Sequence, residues 1–278
     1  MFVGSDALVS ELHDRQQDLV AAIAPLDRVQ AANRVGQIVA KLSAIRGIAF
    51  SPNFKAWFGA SVVRDEQGNP LVVFRGEHGP AAGDTGVSTM LGSITFTDAP
   101  AVAAVYAVQP NQRGLVAVRP RVIGAYLRIE NPIMDNRDDP FLELGLLEQR
   151  LGRDEAVRIA RKFADRIEYT GNWIEGLAEE FESVGQMMDQ QPHRVAELYF
   201  DAYPFLDDGE EVAKLHAAGF DGAVHVGNGE SVDALEFRVF SVRQIKSVGN
   251  SGRFDPAVES IMDGAAQEKT WRGETPRC

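Results

Sequence analysis

Residues 93–108, SITFTDAPAVAAVYAV, join a strand pattern directly to a helix pattern. Polar and apolar side chains alternate from Ser93 to Thr97, as in a β-strand with two unlike faces. After Asp98 the chain becomes Ala-rich, and Pro100 suits the first turn of a helix. This stretch therefore predicts a strand followed at once by a short helix.

Further strand patterns lie on both sides of this stretch. They are β-branched or aromatic runs bounded by Gly, Pro or Asn: LVVF at 71–74, LVAVRP at 115–120, GAYLRI at 124–129, DGAVHV at 221–226, ALEFRVF at 234–240 and, more weakly, IKSV at 245–248. Residues 140 to about 218 instead show helical spacing without a convincing strand. Scattered strands interrupted by a helical block indicate the α+β class.

The pattern divides the chain into three parts. Apolar residues at helical spacing predict an N-terminal helical segment over 1–50, broken near Pro25. The main domain spans 51–256 and carries a helical insertion at about 138–218. A Gly-, Glu- and Lys-rich tail over 257–278 is expected to be mobile.

Composition excludes several classes of function. The formal net charge of −12 argues against nucleic acid as a partner, because binding phosphates needs a basic face. The single cysteine, Cys278, excludes an intramolecular disulfide framework and a Cys-based zinc site. No apolar run is long enough to span a membrane, and no cleavable leader is present, so we expect synthesis in the cytoplasm. Delivery into another cell without a cleaved signal is left open.

Four motifs occur in an order that known enzymes share: Phe74-Arg75-Gly76; Gly92 to Asp98 with Tyr106; Glu236 within LEFRVF; and QIKSVGNSGRF at 244–254. Together with FKAWFGAS, NP and AAGFDG, they make the run from Phe54 to Asp255 resemble the ADP-ribosyltransferase domains of phage polyvalent proteins. The resemblance implies an ADP-ribosyltransferase-like split β-sheet, NAD⁺ as co-substrate and no metal.

In that superfamily the first motif holds the dinucleotide. The resemblance makes Arg75 the residue that orients NAD⁺, and a guanidinium can engage two oxygens of a ribose–phosphate edge at once. It makes Gly76 the residue whose backbone contacts the nicotinamide carboxamide. The alternative is that Arg75 is a solvated arginine at a strand end.

The second motif combines two branches of the superfamily. Thr95 stands where one branch has a tyrosine, so Thr95 or Ser93 would act as the serine-like hydroxyl of the other branch. The resemblance places Phe96 beside the cofactor and makes Tyr106 the aromatic ring that stacks on nicotinamide. The alternatives are that the polar residues form one face of an edge strand and that Tyr106 is a core aromatic.

The third motif gives the catalytic carboxylate. Glu236, followed by the apolar strand run, occupies the family's glutamate position. Breaking the nicotinamide–ribose bond leaves a ribosyl cation, which a nearby carboxylate stabilises as the transition state develops. The alternative is that Glu236 simply belongs to the outward face of a strand.

These features predict mono-ADP-ribosylation of a protein acceptor. Arginine-modifying relatives carry Glu or Gln two residues before the catalytic Glu, and Ala234 stands there, so arginine is not the expected acceptor. Two alternatives remain: an NAD⁺ glycohydrolase that uses the same residues, and a catalytically degenerate module that binds a partner.

Overall fold

The computed structural model describes residues 51–77, 87, 92–108, 121–228, 231, 233–250 and 252–262. The helices predicted within 1–50, the strand predicted at 115–120 and the tail from 263 onward lie outside the described residues. The described part mixes helices with a mostly antiparallel sheet, which confirms the general α+β class. None of its helices combines the length and apolar character needed to cross a membrane.

Nine strands form two sheets within the described residues. They are β1 Val73–Glu77, β2 Ile94–Thr97, β3 Arg121–Leu127, β4 Pro132–Asn136, β5 Phe141–Glu143, β6 Tyr199–Asp201, β7 Gly222–Val226, β8 Leu235–Val239 and β9 Ile245–Ser247. Seven make one sheet in the order β4-β7-β8-β2-β1-β3-β9, and β5 pairs with β6 in a separate ribbon. Only β4 and β7 run parallel among the pairs described.

The helices fall into three groups by position in the chain. The elements are α1 Pro52–Phe58, α2 Pro100–Val108, α3 Leu144–Leu151, α4 Arg153–Lys162, α5 Ala164–Ile167, a π-helical turn Trp173–Leu177 continuing into α6 Ala178–Glu180, α7 Val184–Gln190, a 3₁₀ turn Pro192–Glu197, α8 Ala202–Leu206, α9 Gly209–Ala217 and a 3₁₀ turn Val242–Gln244. Most lie between β5 and β7, as the predicted insertion required.

The main sheet is buried on both faces. On one face, Phe74 of β1 packs with α1 and α2 in a cluster rich in aromatic rings. On the other face, Val73, Phe96 and Phe237 belong to a second cluster of branched and aromatic residues. The insertion has its own core, centred on residues such as Leu147, Phe200 and Phe205. These cores support the strands that carry the motifs.

The expectation that 140–218 contains no strand was wrong, because β5 and β6 lie there. Each covers three residues and pairs through Leu142 and Phe200. A strand this short shows no usable alternation, so periodicity cannot detect it. The strand β4 was also missed, since Pro132 begins it and polar residues end it.

The strands β1 and β2 separate soon after they meet. Their recorded register is the single pair Phe74–Thr97, whereas β1 pairs with β3 at five positions from Val73 to Glu77. Beyond Phe74 no further ladder pair joins β1 to β2 among the described residues. We call this unpaired stretch, beside Arg75 and Gly76, the opening between β1 and β2.

Candidate functional site

The sheet brings the strands of the first three motifs side by side, in the order β8-β2-β1. Thr97 lies opposite both Phe74 on β1 and Glu236 on β8, so these three side chains share a face. The backbone of Asp98 also bonds to Leu235, which is 137 positions away in sequence. Residues far apart in the chain are therefore neighbours around Glu236.

The Glu236 carboxylate is held at both oxygens. The Tyr203 hydroxyl donates to Oε1 at 2.5 Å, and Arg238 Nη2 donates to Oε2 at 3.4 Å. Glu236 is only 3% exposed, so a carboxylate that would be costly to bury alone is satisfied by hydrogen bonds. Its closer partner is a neutral hydroxyl and its more distant partner a cation.

Tyr203 is fixed from two sides. It lies in α8, whose N-cap Asp201 accepts a hydrogen bond from the Tyr203 backbone N–H at 2.9 Å. The backbone N–H of Asn228 donates to the Tyr203 hydroxyl at 3.2 Å, and the Asn228 amide donates to Asp201. Burial, followed by the nearby Glu236 charge, raises the pKa of Tyr203. The hydroxyl therefore keeps the proton that it donates to Glu236.

Arg238 links Glu236 to a second acid. Its Nη1 lies 2.5 Å from Asp207 Oδ1 and 3.3 Å from the Ser93 hydroxyl, and its guanidinium lies 4.5 Å from the centre of the Tyr203 ring. The ion pair with Asp207 is much closer than that with Glu236. Among the described residues, the buried Nε of Arg238 has no hydrogen-bond partner.

His225 lies opposite Glu236 on the other side of β8, in strand β7. Its Nδ1 is 2.8 Å from the Val226 carbonyl, so Nδ1 carries the proton and Nε2 is an acceptor. Burial, with Arg238 as the second cause, lowers the pKa of His225. The imidazole is therefore neutral, and its buried Nε2 has no partner within the described part of the chain.

Arg75 lies beside the opening between β1 and β2. Its Nε donates to Glu77 at 3.0 Å and its Nη1 to the Thr95 carbonyl at 2.9 Å, so the guanidinium spans the two strands. Strand alternation puts Arg75 on the Val73 face, opposite to the face of Glu236. The structure thus brings Arg75 to Thr95 but does not put its side chain against Glu236.

The other residues of the second motif occupy different surroundings. Thr95 is partly exposed and lies opposite Arg238, on the face of Glu236. Ser93 is buried and touches Arg238, which connects it to Glu236 through one side chain. Phe96 is buried opposite Phe237, in the core on the other face. Ser93 and Thr95 therefore join the candidate site, whereas Phe96 lies in the core.

Gly76 and Tyr106 meet at α2. A Cβ on Gly76 would lie 1.9 Å from the Ala103 carbonyl oxygen, so only glycine allows α2 to pack this closely on β1. Tyr106 is 37% exposed, and its hydroxyl lies 3.3 Å from the Ser231 hydroxyl, between β7 and β8. The tyrosine therefore stands near the end of β8 that carries Glu236.

Sequence reasoning missed Tyr203, Arg238, His225 and Asp207. For Arg238 a signal was present: it follows Glu236 by two positions, and a period of two places both on one strand face. His225 has no metal-ligand spacing, so the sequence does not single it out. Tyr203 and Asp207 had no local signal, because tertiary folding alone brings the insertion to β8.

One group of carboxylates could geometrically hold a cation: Asp208, Glu210 and Glu211. Lys162 already lies within 2.8 Å of Asp208 and 2.7 Å of Glu211. These ion pairs lower the pKa of Asp208, chiefly through the hydrogen bond from Lys162. The group is thus already neutralised by side chains.

Comparisons with models of protein families, with curated proteins and with solved structures found no match to this chain.

Proposed function

We propose that this protein is an NAD⁺-dependent mono-ADP-ribosyltransferase that modifies a protein. The observation that carries the proposal is the adjacency of β1, β2 and β8, the strands that hold the three motifs. Arg75 bonds to the backbone of Thr95, and Thr95 lies opposite Arg238 next to Glu236. Motifs separated by most of the chain thus lie on neighbouring strands, which supports the proposal.

The chemistry assigned to Glu236 is electrostatic. Departure of nicotinamide leaves positive charge on the ribose, and a fixed carboxylate favours that transition state over the neutral ground state. Its two hydrogen bonds hold the carboxylate in place, and its cationic partner, Arg238, pairs more closely with Asp207 than with Glu236. A site already organised in this way avoids reorganisation during the reaction.

The opening between β1 and β2 supports an ADP-ribosyltransferase-like split sheet. A single pair joins these strands at Phe74–Thr97, so the sheet can admit a ligand beyond that point. Arg75 and Glu236 lie on opposite faces of the sheet. A ligand that enters the opening between β1 and β2 can nevertheless contact both residues. In this arrangement Arg75 holds the phosphate–ribose edge and Glu236 faces the reacting ribose.

The acceptor is proposed to be a residue other than arginine. Ala234 is 4% exposed, and at that position a strand would need a carboxylate or amide to receive a guanidinium. Asp233, the next residue back, has a φ of 65° and leaves the strand geometry. The proposed acceptor is therefore a hydroxyl, acidic or amide group.

The low exposure of Glu236 favours a second candidate, a binding module that has lost catalysis. In that case NAD⁺ would bind without release of nicotinamide. An NAD⁺ glycohydrolase shares the same residues, and it would release ADP-ribose from NAD⁺ without any protein acceptor. Both alternatives therefore differ from the transferase in their products.

The test is incubation of the protein with labelled NAD⁺, alone and with bacterial or eukaryotic lysate. A transferase releases nicotinamide and labels a protein band, and mass spectrometry of the band identifies the modified residue. Glu236→Gln keeps the side-chain size and removes the charge, so labelling should fall by about 10²–10³-fold. Labelling by Glu236→Gln at the wild-type rate would contradict the assignment.

A further inference from the structure

We propose that Tyr203, supplied by the helical insertion, is a positioning residue for the Glu236 carboxylate. This inference rests on the proposed function. Tyr203 acts through Glu236 and contacts no reacting atom in the scheme. It extends the site to a part of the chain that the three motif strands do not include.

The first argument is geometric. A glutamate side chain has three rotatable torsions, but its carboxylate stabilises the transition-state charge best in one orientation. The 2.5 Å bond from the Tyr203 hydroxyl fixes Oε1, and Arg238 limits Oε2. Tyr203 has no freedom to follow Glu236, because the Asn228 backbone N–H holds its hydroxyl oxygen.

The second argument concerns charge. A cation placed 2.5 Å from Glu236 would orient it equally well, but it would also oppose the developing positive charge on the ribose. A tyrosine hydroxyl orients the carboxylate and adds no net charge. Arg238 makes its closer ion pair with Asp207, at 2.5 Å, and a longer one with Glu236, at 3.4 Å, so Asp207 offsets part of its charge. The neutral donor is therefore the contact that suits a carboxylate required to stabilise a cation.

The third argument is that the surrounding residues make Tyr203 rigid. Asp201 ends β6 and caps α8, so one side chain ties the ribbon to the helix that bears Tyr203. The same carboxylate accepts from the Asn228 amide, at the end of β7. The Tyr203 ring also packs edge-on against His225, with ring centres 5.2 Å apart. Contacts to its backbone, ring and hydroxyl thus hold Tyr203 in place.

The experiment compares Tyr203→Phe with wild type by nicotinamide release at saturating NAD⁺. Phenylalanine keeps the ring contacts with Arg238 and His225, so the variant should fold, and circular dichroism checks this. Loss of one hydrogen bond to a charged group should lower kcat by about 10- to 100-fold. The Kd for NAD⁺ should change by less than about twofold, since the ground-state contacts are kept.

Tyr199→Phe is the matched control, because Tyr199 lies in β6 of the same insertion and packs edge-on against Phe141 instead of touching Glu236. It should retain the wild-type kcat. In a Glu236→Gln background, Tyr203→Phe should lower kcat little further, because the two residues act as one unit.

The outcomes separate the two proposals. If wild type releases no nicotinamide, the proposed function fails and this inference fails with it. If wild type is active and Tyr203→Phe keeps or increases kcat, the positioning role alone is overturned. The positioning role would also be overturned if Tyr203→Phe lowered kcat as much in the Glu236→Gln background as in wild type. Tyr203 would then act independently of Glu236.

Discussion

At the scale of single residues, Arg75 allows the effect of side-chain charge to be separated from the effect of side-chain shape. Its planar guanidinium already bonds Glu77 and the Thr95 carbonyl, so its position depends on several directed donors. Arg75→Lys keeps the charge but loses that shape. We expect the KM for NAD⁺ to rise about tenfold, which corresponds to about 1.5 kcal/mol from one charge-assisted hydrogen bond. Steady-state kinetics measure it.

Arg64→Lys is the control for Arg75. Arg64 also donates through its guanidinium to backbone carbonyls, those of Ser61, Gly59 and Gly68, but it belongs to the loop before β1. Its substitution should leave the KM for NAD⁺ unchanged. Equal KM values for Arg75→Lys and wild type would show that Arg75 does not hold the dinucleotide.

Tyr106 tests the stacking role. Removing an aromatic platform from under a base costs about 1–3 kcal/mol, so Tyr106→Ala should weaken NAD⁺ binding by that amount. Tyr106→Phe should be nearly silent, since the hydroxyl makes one partly exposed contact with Ser231. Tyr169→Ala, at a tyrosine that is 83% exposed, is the control. Calorimetric titration with NAD⁺ decides it, and unchanged affinity in Tyr106→Ala would exclude stacking.

A site residue can be predicted from the sequence when the residues that it contacts are close to it in the chain or belong to a motif. Glu236 and Thr95 were singled out from motifs, and the register places them on one face of adjacent strands. Arg238 could have been added from strand alternation. Tyr203 could not, because its contact with Glu236 spans 33 positions and depends on how the insertion folds back.

At the scale of elements, α2 and β1 depend on Gly76. A methyl group there would meet the Ala103 carbonyl oxygen at 1.9 Å and the Ala107 nitrogen at 2.6 Å, and backbone atoms cannot move aside cheaply. Gly76→Ala should therefore lower the free energy of unfolding by about 1–3 kcal/mol, as overpacking does. Urea denaturation measures it. Gly176→Ala, where an added methyl meets nothing within 4 Å, should not destabilise the fold.

Elements with strong local signals were predicted well. The helix at Pro100–Val108 follows Pro100 and the Ala-rich run, and β2, β7, β8 and β9 lie within their predicted segments. The strand predicted at 71–74 is shifted, since β1 covers Val73–Glu77.

At the scale of the whole molecule, buried titrating groups limit the pH range of stability. The ordinary pKa of histidine is 6.5, and burial lowers that of His225. Below pH 6.5 the unfolded chain binds a proton that the folded chain refuses, so stability falls as the pH falls. For Tyr203, burial raises the pKa above its ordinary value of 10.0, so stability falls as the pH rises past 10.

Denaturation midpoints measured from pH 4 to 11 check these signs. Relative to wild type, His225→Gln should lose less stability as the pH falls below about 6.5. Tyr203→Phe should reduce the decline above pH 10. Parallel curves for wild type and His225→Gln would contradict a buried, neutral His225.

The position of β8 in the sheet has a consequence for synthesis. It lies between β7 and β2, so a nascent chain that stops before Leu235 has two separate sheet fragments and no Glu236. Contacts between segments this distant in sequence form late, because closing such long loops is slow. Glu236 therefore joins the sheet only once β8 has been made, so a chain truncated before Leu235 should lack the candidate site.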